Sequence, residues 1–160
     1  MFELTLITVG KLKEKFYLAA CEEYAKRLSA YCKFQLVELP ECRLPENPNA
    51  TEIAAGLAKE AELIRCRIPK GSWFCVLTPE GKELSSEALA DKLAQVKLSG
   101  RSHICFLIGS SFGMDSEIKK MADFRLSFGP MTFPHHLMRV MALEQFYRAE
   151  AIQAGSRYHK

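Results

Sequence analysis

The stretch that decides the fold is residues 103–108, HICFLI, which runs directly into GSSFG at residues 109–113. Six residues in which five are apolar are typical of a strand that is buried on both faces. Such a strand lies at the centre of a parallel sheet. The two glycines that follow it predict a tight turn at its carboxyl end.

Strands and helices are predicted to alternate along the rest of the chain. Strands are predicted at 2–10, 34–39, 72–77, 103–108 and 124–128, and helices at 13–31, 49–65, 85–100, in a short piece after Asp115, and at 137–152. Five alternations of this kind indicate an α/β domain with a parallel sheet. We expect residues 1–160 to form one domain, because a chain of this length fits a single core.

Three local patterns give sharper expectations. In the first helix, apolar residues recur every three or four positions from Phe16 to Tyr31, which predicts one buried stripe. Asn49 followed by Glu52 predicts a capping box after the proline-rich loop 40–48. Residues 79–82, PEGK, predict a turn out of the third strand.

Composition narrows the classes of function. The chain has 160 residues, 48% hydrophobic and 26% charged, with a formal net charge of +3. These values exclude wholesale disorder and a tail-driven nucleic-acid binder, but they leave room for a local basic patch. Apolar runs such as 73–77 and 104–108 are too short to cross a bilayer, so we expect no membrane partner.

The amino terminus and the cysteines indicate the compartment. Residues 1–4, MFEL, lack the basic and then long apolar pattern of a signal peptide, so we expect a cytoplasmic protein. The six cysteines are scattered, and no two have the spacing of a zinc pair. We therefore expect neither a metal site nor a structural disulfide.

Ligands of open α/β sheets bind beyond the carboxyl ends of the strands, so the loops there are the candidate sites. Residues 8–13, TVGKLK, carry one glycine, too few for a dinucleotide fingerprint, and 109–113 lack the Lys and Ser/Thr of a P-loop. These absences argue against a nucleotide hydrolase. Two interpretations stay open for loops 109–113 and 128–134: simple connections, or main-chain recognition of a flat heterocycle.

The histidines of the second half offer further candidates. His135 and His136 begin the last helix, where we favour a packing or capping role. The ending RYHK, residues 157–160, places a tyrosine and a histidine between two cations. This tail either stays solvated or stacks on a base and pairs with phosphate.

A series of motifs makes the chain recognisable. LIGSSFG at 107–113, LSFGPMTFPH at 126–135, MRV at 138–140, LEQFYR at 143–148 and YHK at 158–160 occur in this order. With VGKLK at 9–13 and GKELSS at 81–86, they closely resemble the RlmH family over essentially the whole chain. That family comprises bacterial SPOUT-class methyltransferases that act on ribosomal RNA.

The resemblance implies a fold and an assembly that periodicity does not show. It implies a SPOUT-type domain with a trefoil knot in the carboxy-terminal half, and a knotted cofactor-binding part at about residues 72–160. Knots are nearly absent from proteins, so pattern reasoning alone would reject this topology. It also implies a homodimer in which each cofactor pocket adjoins the partner's tail.

The resemblance also assigns site residues. It implies that S-adenosylmethionine binds at Leu77, Gly109 and the loop Phe128, Gly129, Pro130, Met131, Thr132 and Phe133. It implies catalytic or substrate-positioning roles for His159, Tyr158 and Arg139. His159 is a candidate proton acceptor, with water as the alternative. Arg139 and Tyr158 could each instead be structural, and Arg139 could cap or pair within the dimer.

The implied reaction is methylation of N3 of pseudouridine 1915 in 23S ribosomal RNA, on the assembled ribosome. The alternative is a non-catalytic RNA- or ribosome-binding module with an impaired cofactor site. Two departures from the family pattern support that alternative. Ser110 stands where a second glycine is usual, and Thr78 stands where an acidic residue commonly follows the strand.

Overall fold

The computed structural model describes all residues, 1–160, as alternating strands and helices. The strands are β1 (Glu3–Val9), β2 (Lys33–Leu39), β3 (Trp73–Glu83), β4 (His103–Ile108) and β5 (Phe124–Ser127). The helices are α1 (Lys15–Leu28), α2 (Ala50–Arg67), α3 (Ser86–Leu98), α4 (Ser116–Met121) and α5 (His135–Gln153). The predicted order of elements is confirmed.

All five strands belong to one parallel sheet in the order β2-β1-β4-β3-β5. β4 therefore lies at the centre, as its apolar sequence predicts. Ile104 and Phe106 of β4 belong to the core beneath α1, α3 and α5, whereas Cys105 and Leu107 belong to the core beneath α2 and α4. The α/β fold class with a parallel sheet is confirmed.

The predicted helix boundaries hold where capping chemistry defines them. Asn49 and Glu52 form a reciprocal capping box, and the Ser85 hydroxyl accepts a hydrogen bond from the backbone N–H of Ala88. Gly100 adopts a φ of 91° just after α3, where a left-handed residue ends the helix. Local side-chain chemistry thus sets where α2 and α3 start and where α3 ends.

The predicted turn at 79–82 is wrong, because β3 continues through it to Glu83. β3 pairs with β4 only as far as Leu77, and beyond that point it remains beside β5 with a shift of register. A Cβ on Gly81 would lie 2.8 Å from the Arg125 and Leu126 backbones. The glycine therefore permits a close approach of two strands rather than a reversal.

The predicted buried stripe of α1 is partly wrong. Phe16 is 67% exposed, whereas Cys21 and Leu28 are buried and Tyr24 lies between these extremes. The buried face passes through residues 17, 21, 24 and 28, one position away from the predicted start. Spacing of three and four fits both stripes, so the sequence alone does not choose between them.

Candidate functional site

A cavity of about 710 Å³ lies at the carboxyl ends of β3, β4 and β5. Its wall includes seven of the eight residues that the resemblance assigns to the cofactor: Leu77, Gly109, Phe128, Gly129, Met131, Thr132 and Phe133. Pro130 belongs to the same loop but is outside the wall. The structure thus brings three distant segments together where a parallel sheet places its ligand.

The turn at 109–113 is closed by its own backbone. The Ser110 N–H donates to the Gly113 carbonyl at 3.0 Å, and the Gly113 N–H donates back to the Ser110 carbonyl at 2.8 Å. A Cβ on Gly109 would lie 2.3 Å from the Gly113 oxygen, so no other residue fits this position. The Ser110 hydroxyl also points back, 3.4 Å from the Gly113 carbonyl oxygen.

The loop after β5 is fixed by Ser127, which is buried. Its hydroxyl donates to the Pro79 carbonyl at 3.0 Å and accepts from the Gly129 N–H at 3.1 Å. Gly129 has a φ of 111°, a backbone conformation that favours glycine. The extension of β3 therefore holds the loop that closes one side of the cavity.

A second wall of the cavity is polar. The Lys119 ammonium donates to a Glu80 carboxylate oxygen at 2.5 Å, and both residues line the cavity. This contact with Lys119 lowers the pKa of Glu80 to about 2. The Thr78 hydroxyl on the same wall is buried and has no hydrogen-bond partner. The cavity can therefore offer an acceptor, a donor and a free hydroxyl to a polar ligand.

The Glu80–Lys119 pair should make stability depend on pH in one direction. A folded-state pKa below the unfolded value adds stability above about pH 4.5, and this contribution is lost as the pH falls towards 2. We expect Glu80→Gln to lower the free energy of unfolding by at most about 1 kcal/mol at neutral pH, because the pair is largely exposed. Urea unfolding of both proteins should show this difference disappearing near pH 2.

The matched control for that measurement is Glu46→Gln, which removes an exposed glutamate from the proline-rich loop. Glu46 forms no ion pair, so its substitution should leave the pH dependence of stability as in the wild type. A constant difference between wild type and Glu80→Gln from pH 7 to pH 2 would contradict the assigned ion pair.

The tail is packed on α5 and α3 rather than solvated. The Tyr158 hydroxyl donates to Glu144 at 3.0 Å, and Arg148 donates to the same carboxylate at 2.7 Å. The Arg148 guanidinium lies 4.7 Å from the Tyr158 ring centroid. Nδ1 of His159 is 3.0 Å from Arg148, and its Nε2 is 2.7 Å from Glu87.

These contacts define which ring nitrogen of His159 carries hydrogen. An arginine can only donate, so Nδ1 accepts from Arg148. Nε2 faces a carboxylate and must therefore donate. His159 is thus held as the neutral Nε2–H tautomer, and its one lone pair is occupied by Arg148.

Three residues of this cluster escaped the sequence analysis as site residues. Glu144 and Arg148 have the four-residue spacing of a helical ion pair, which gave no hint that they also hold the tail. Glu87 is separated from His159 by 72 positions, and no pattern in the sequence connects them. The four-residue spacing of Glu144 and Arg148 was the one signal in the sequence, and it indicates an ion pair and not a contact with the tail.

Arg139 lies apart from the tail within one chain. Its side chain is 1% exposed, forms an ion pair with Glu38 at 2.5 Å and donates to the Gly10 carbonyl at 3.1 Å. Along α5 it is about 13 Å from Arg148 by the helical rise. Within one chain these contacts give Arg139 a structural role, and its role at the substrate stays a prediction of the resemblance.

The two histidines at the start of α5 have different surroundings. His135 lines the cavity, and burial lowers its pKa, with the neighbouring His136 lowering it further. His136 is not part of the cavity wall, and its Nδ1 lies 3.4 Å from a Glu14 carboxylate oxygen. The packing role predicted for both therefore describes His136 better than His135.

No group of three or more His, Cys, Asp or Glu side chains is arranged to hold a metal ion. No helix combines the length and the apolar character that crossing a membrane requires.

The comparisons with known proteins agree on one family. A family model described as "Predicted SPOUT methyltransferase" matches residues 2–159. The "Ribosomal RNA large subunit methyltransferase H" of Bifidobacterium adolescentis is 49% identical over 158 residues, with 99% of each chain covered. The protein of that name from Alkaliphilus oremlandii is 45% identical over 157 residues, covering 98% of this chain and 99% of the relative.

A solved structure supports the fold. The tRNA (m1G37) methyltransferase of Aquifex aeolicus superposes with a TM-score of 0.54 at 14% identity, over 99% of this chain and 73% of that one. The resemblance drawn from the motifs is confirmed by these matches, and the chain belongs to the SPOUT methyltransferase family.

Proposed function

We propose that this protein transfers a methyl group from S-adenosylmethionine to large-subunit ribosomal RNA. The finer proposal is N3 of pseudouridine 1915 in 23S ribosomal RNA, on the assembled ribosome. The observation that carries the proposal is the cavity at the carboxyl ends of β3, β4 and β5. Three segments far apart in sequence meet there around a turn that only glycine can form.

The residues that line the cavity fit S-adenosylmethionine. Because Gly109 has no Cβ, the Gly113 carbonyl can close the turn against it, and the backbone of the turn lines the cavity, where it can offer polar groups to an adenosine. Leu77, Phe128 and Phe133 supply apolar surface for a flat base, as ligand pockets commonly do. When bound there, S-adenosylmethionine supplies a methyl group on a positively charged sulfur.

The chain's own residues would handle the substrate through the tail cluster. Tyr158 supplies the aromatic ring for stacking, but Arg148 and Tyr147 already pack against that ring, so a base can stack there only after these contacts change. N3 of a uridine-type base must lose a proton before it can attack. His159 can accept that proton only after Arg148 releases Nδ1, so we assign His159 to positioning and the proton to water or to a rearranged His159.

We infer a homodimer in which each cavity is completed by the partner's tail. None of the residues that hold the tail lines the cavity of their own chain. A two-fold dimer would place the tail of one chain against the cavity of the other. The trefoil knot and the cofactor-binding part at about residues 72–160 remain predictions of the family resemblance. An rRNA substrate would place the protein in the cytoplasm.

The alternative, a non-catalytic RNA- or ribosome-binding module, rests on Ser110 and Thr78. Ser110 gives it little support, because its hydroxyl turns back towards its own turn instead of filling the cavity. Thr78 lines the cavity with an unpartnered hydroxyl, which leaves the polar wall able to bind. The methyltransferase is the better supported function.

A calorimetric titration with S-adenosylmethionine tests the proposal, with ATP and NAD as comparators. We expect saturable binding of S-adenosylmethionine alone, at about one per protomer, because each chain carries one such cavity. Transfer of a labelled methyl group to ribosomes, compared with free 23S rRNA, then tests the substrate. Absence of binding by all three ligands would favour the non-catalytic module.

A further inference from the structure

The loop between β1 and α1 presents lysines beside the cavity. Lys11 and Lys13 flank Leu12 in this loop, and Lys15 is the first residue of α1. All three lysines are exposed, and none forms an ion pair in the structure. They form what we call the lysine loop, residues 10–15.

Contacts with Glu38 and Arg139 hold the backbone of the lysine loop in place. Leu12 is 4% exposed, and its N–H donates to a Glu38 carboxylate oxygen at 3.4 Å. The same carboxylate pairs with buried Arg139, which donates to the Gly10 carbonyl. One ion pair between buried Arg139 and exposed Glu38 thus fixes the loop at Gly10 and at Leu12, and the lysines between and beyond these anchors face solvent.

The lysine loop borders the cavity. β1 and β4 are adjacent parallel strands, so Gly10 and the turn at 109–113 leave the same edge of the sheet. His135, which lines the cavity, has its Nε2 3.7 Å from where a Cβ on Gly10 would lie. Glu41 lies between them, with its Oε2 3.5 Å from the same Cβ position and its Oε1 accepting from the Ser111 hydroxyl, so a ligand that leaves the cavity on this side passes Glu41 before it reaches the lysines.

We propose that the lysine loop binds the phosphate backbone of RNA next to the nucleotide that is methylated, with Lys11 and Lys13 as the contacting residues. The proposal rests on the proposed function, because it takes RNA as the substrate. Rigidly presented ammonium groups suit phosphates, which bind lysine as a point charge. Lys11 and Lys13 have no carboxylate partner, so binding a phosphate breaks no ion pair of the protein.

The test uses Lys11→Gln/Lys13→Gln and a matched control, Lys33→Gln/Lys70→Gln. Lys33 and Lys70 are also exposed, but they lie at or before the starts of β2 and β3, at the opposite edge of the sheet. Both double variants remove the same charge. Binding to a short RNA hairpin from the large subunit and to purified ribosomes is measured at several KCl concentrations, and S-adenosylmethionine affinity by calorimetry.

We expect the Lys11/Lys13 variant to bind both RNA probes about 10-fold more weakly at low salt. Its slope of log affinity against log salt should be shallower by about 1 to 2, since each lost phosphate contact removes about 0.7 to 0.9. Its affinity for S-adenosylmethionine should equal that of the wild type. Lys11→Arg/Lys13→Arg should keep the wild-type slope.

Equal losses in the control variant, or an unchanged salt slope, would overturn the proposal. A loss seen with ribosomes but not with the hairpin would also overturn it, because the loop would then contact a ribosomal protein. These outcomes differ from failure of the proposed function. A wild type that binds RNA through the loop but does not bind S-adenosylmethionine would leave this proposal standing and remove the methyl transfer.

Discussion

Gly109→Ala is expected to lower the affinity for S-adenosylmethionine by at least about 10-fold, measured by calorimetry, while the protein stays folded. The added methyl would lie 2.3 Å from the Gly113 carbonyl oxygen, so the turn must open into the cavity. Overpacking costs a folded protein about 1–3 kcal/mol of stability, and a turn displaced into the cavity must be pushed back at a similar cost when the cofactor binds. A change of 1.4 kcal/mol is a factor of ten in affinity.

The control is Gly100→Ala at the end of α3. Gly100 has a positive φ, so alanine there is strained and lowers stability, but nothing lies within 4 Å of the added methyl. Gly100 is also at the sheet edge opposite the cavity, before β4. We expect it to bind S-adenosylmethionine as the wild type does. Equal binding by Gly109→Ala and wild type would contradict the role of the turn.

Gly109 also shows why this site could be predicted from sequence. A wholly apolar segment identifies a central strand, and the turn after a central parallel strand faces the ligand. Both inferences need only neighbouring residues and a general rule of α/β sheets. The cap at Asn49 is predictable for the same reason, since its partner Glu52 is three residues away.

Features that depend on distant partners could not be predicted in this way. β3 extends past Leu77 because β5 pairs with it, and no property of residues 79–82 indicates that pairing. Arg139 is buried because Glu38, 101 positions away, neutralises it. Its placement with the substrate came from the family resemblance, and no spacing in the sequence indicates that Glu38 lies beside it.

His159→Ala is expected to lower the rate of methyl transfer to ribosomes by about 100-fold, because loss of a positioning group that misplaces the substrate by about 1 Å can cost that much. Its affinity for S-adenosylmethionine should stay near that of the wild type, because the residues assigned to the cofactor lie in or beside the cavity wall and not in the tail. The neighbouring substitution Lys160→Ala is the control. Lys160 is exposed, and its loss should leave the rate near that of the wild type.

The pH–rate profile separates positioning from proton transfer. Arg148 occupies the Nδ1 lone pair, so we expect the residual activity of His159→Ala to follow a profile of the wild-type shape. A general base would behave differently, because its loss removes the limb of the profile that reports its titration. A changed shape would show that His159 leaves Arg148 during the reaction.

Mixing two impaired variants, at an S-adenosylmethionine concentration that fills the wild-type cavity but not that of Gly109→Ala, tests where the tail acts. Gly109→Ala has a damaged cavity and an intact tail, and His159→Ala has the reverse. If each site joins one chain's cavity to its partner's tail, random exchange gives about half heterodimers, each with one complete site, and about a quarter of wild-type activity.

Mixing wild type with the Gly109→Ala/His159→Ala double variant should also leave about a quarter of the activity, since those heterodimers contain no complete site. Sites built within one chain would instead give no activity in the first mixture and about half in the second. The pair of mixtures therefore distinguishes a shared site from a self-contained one without any structure of the dimer.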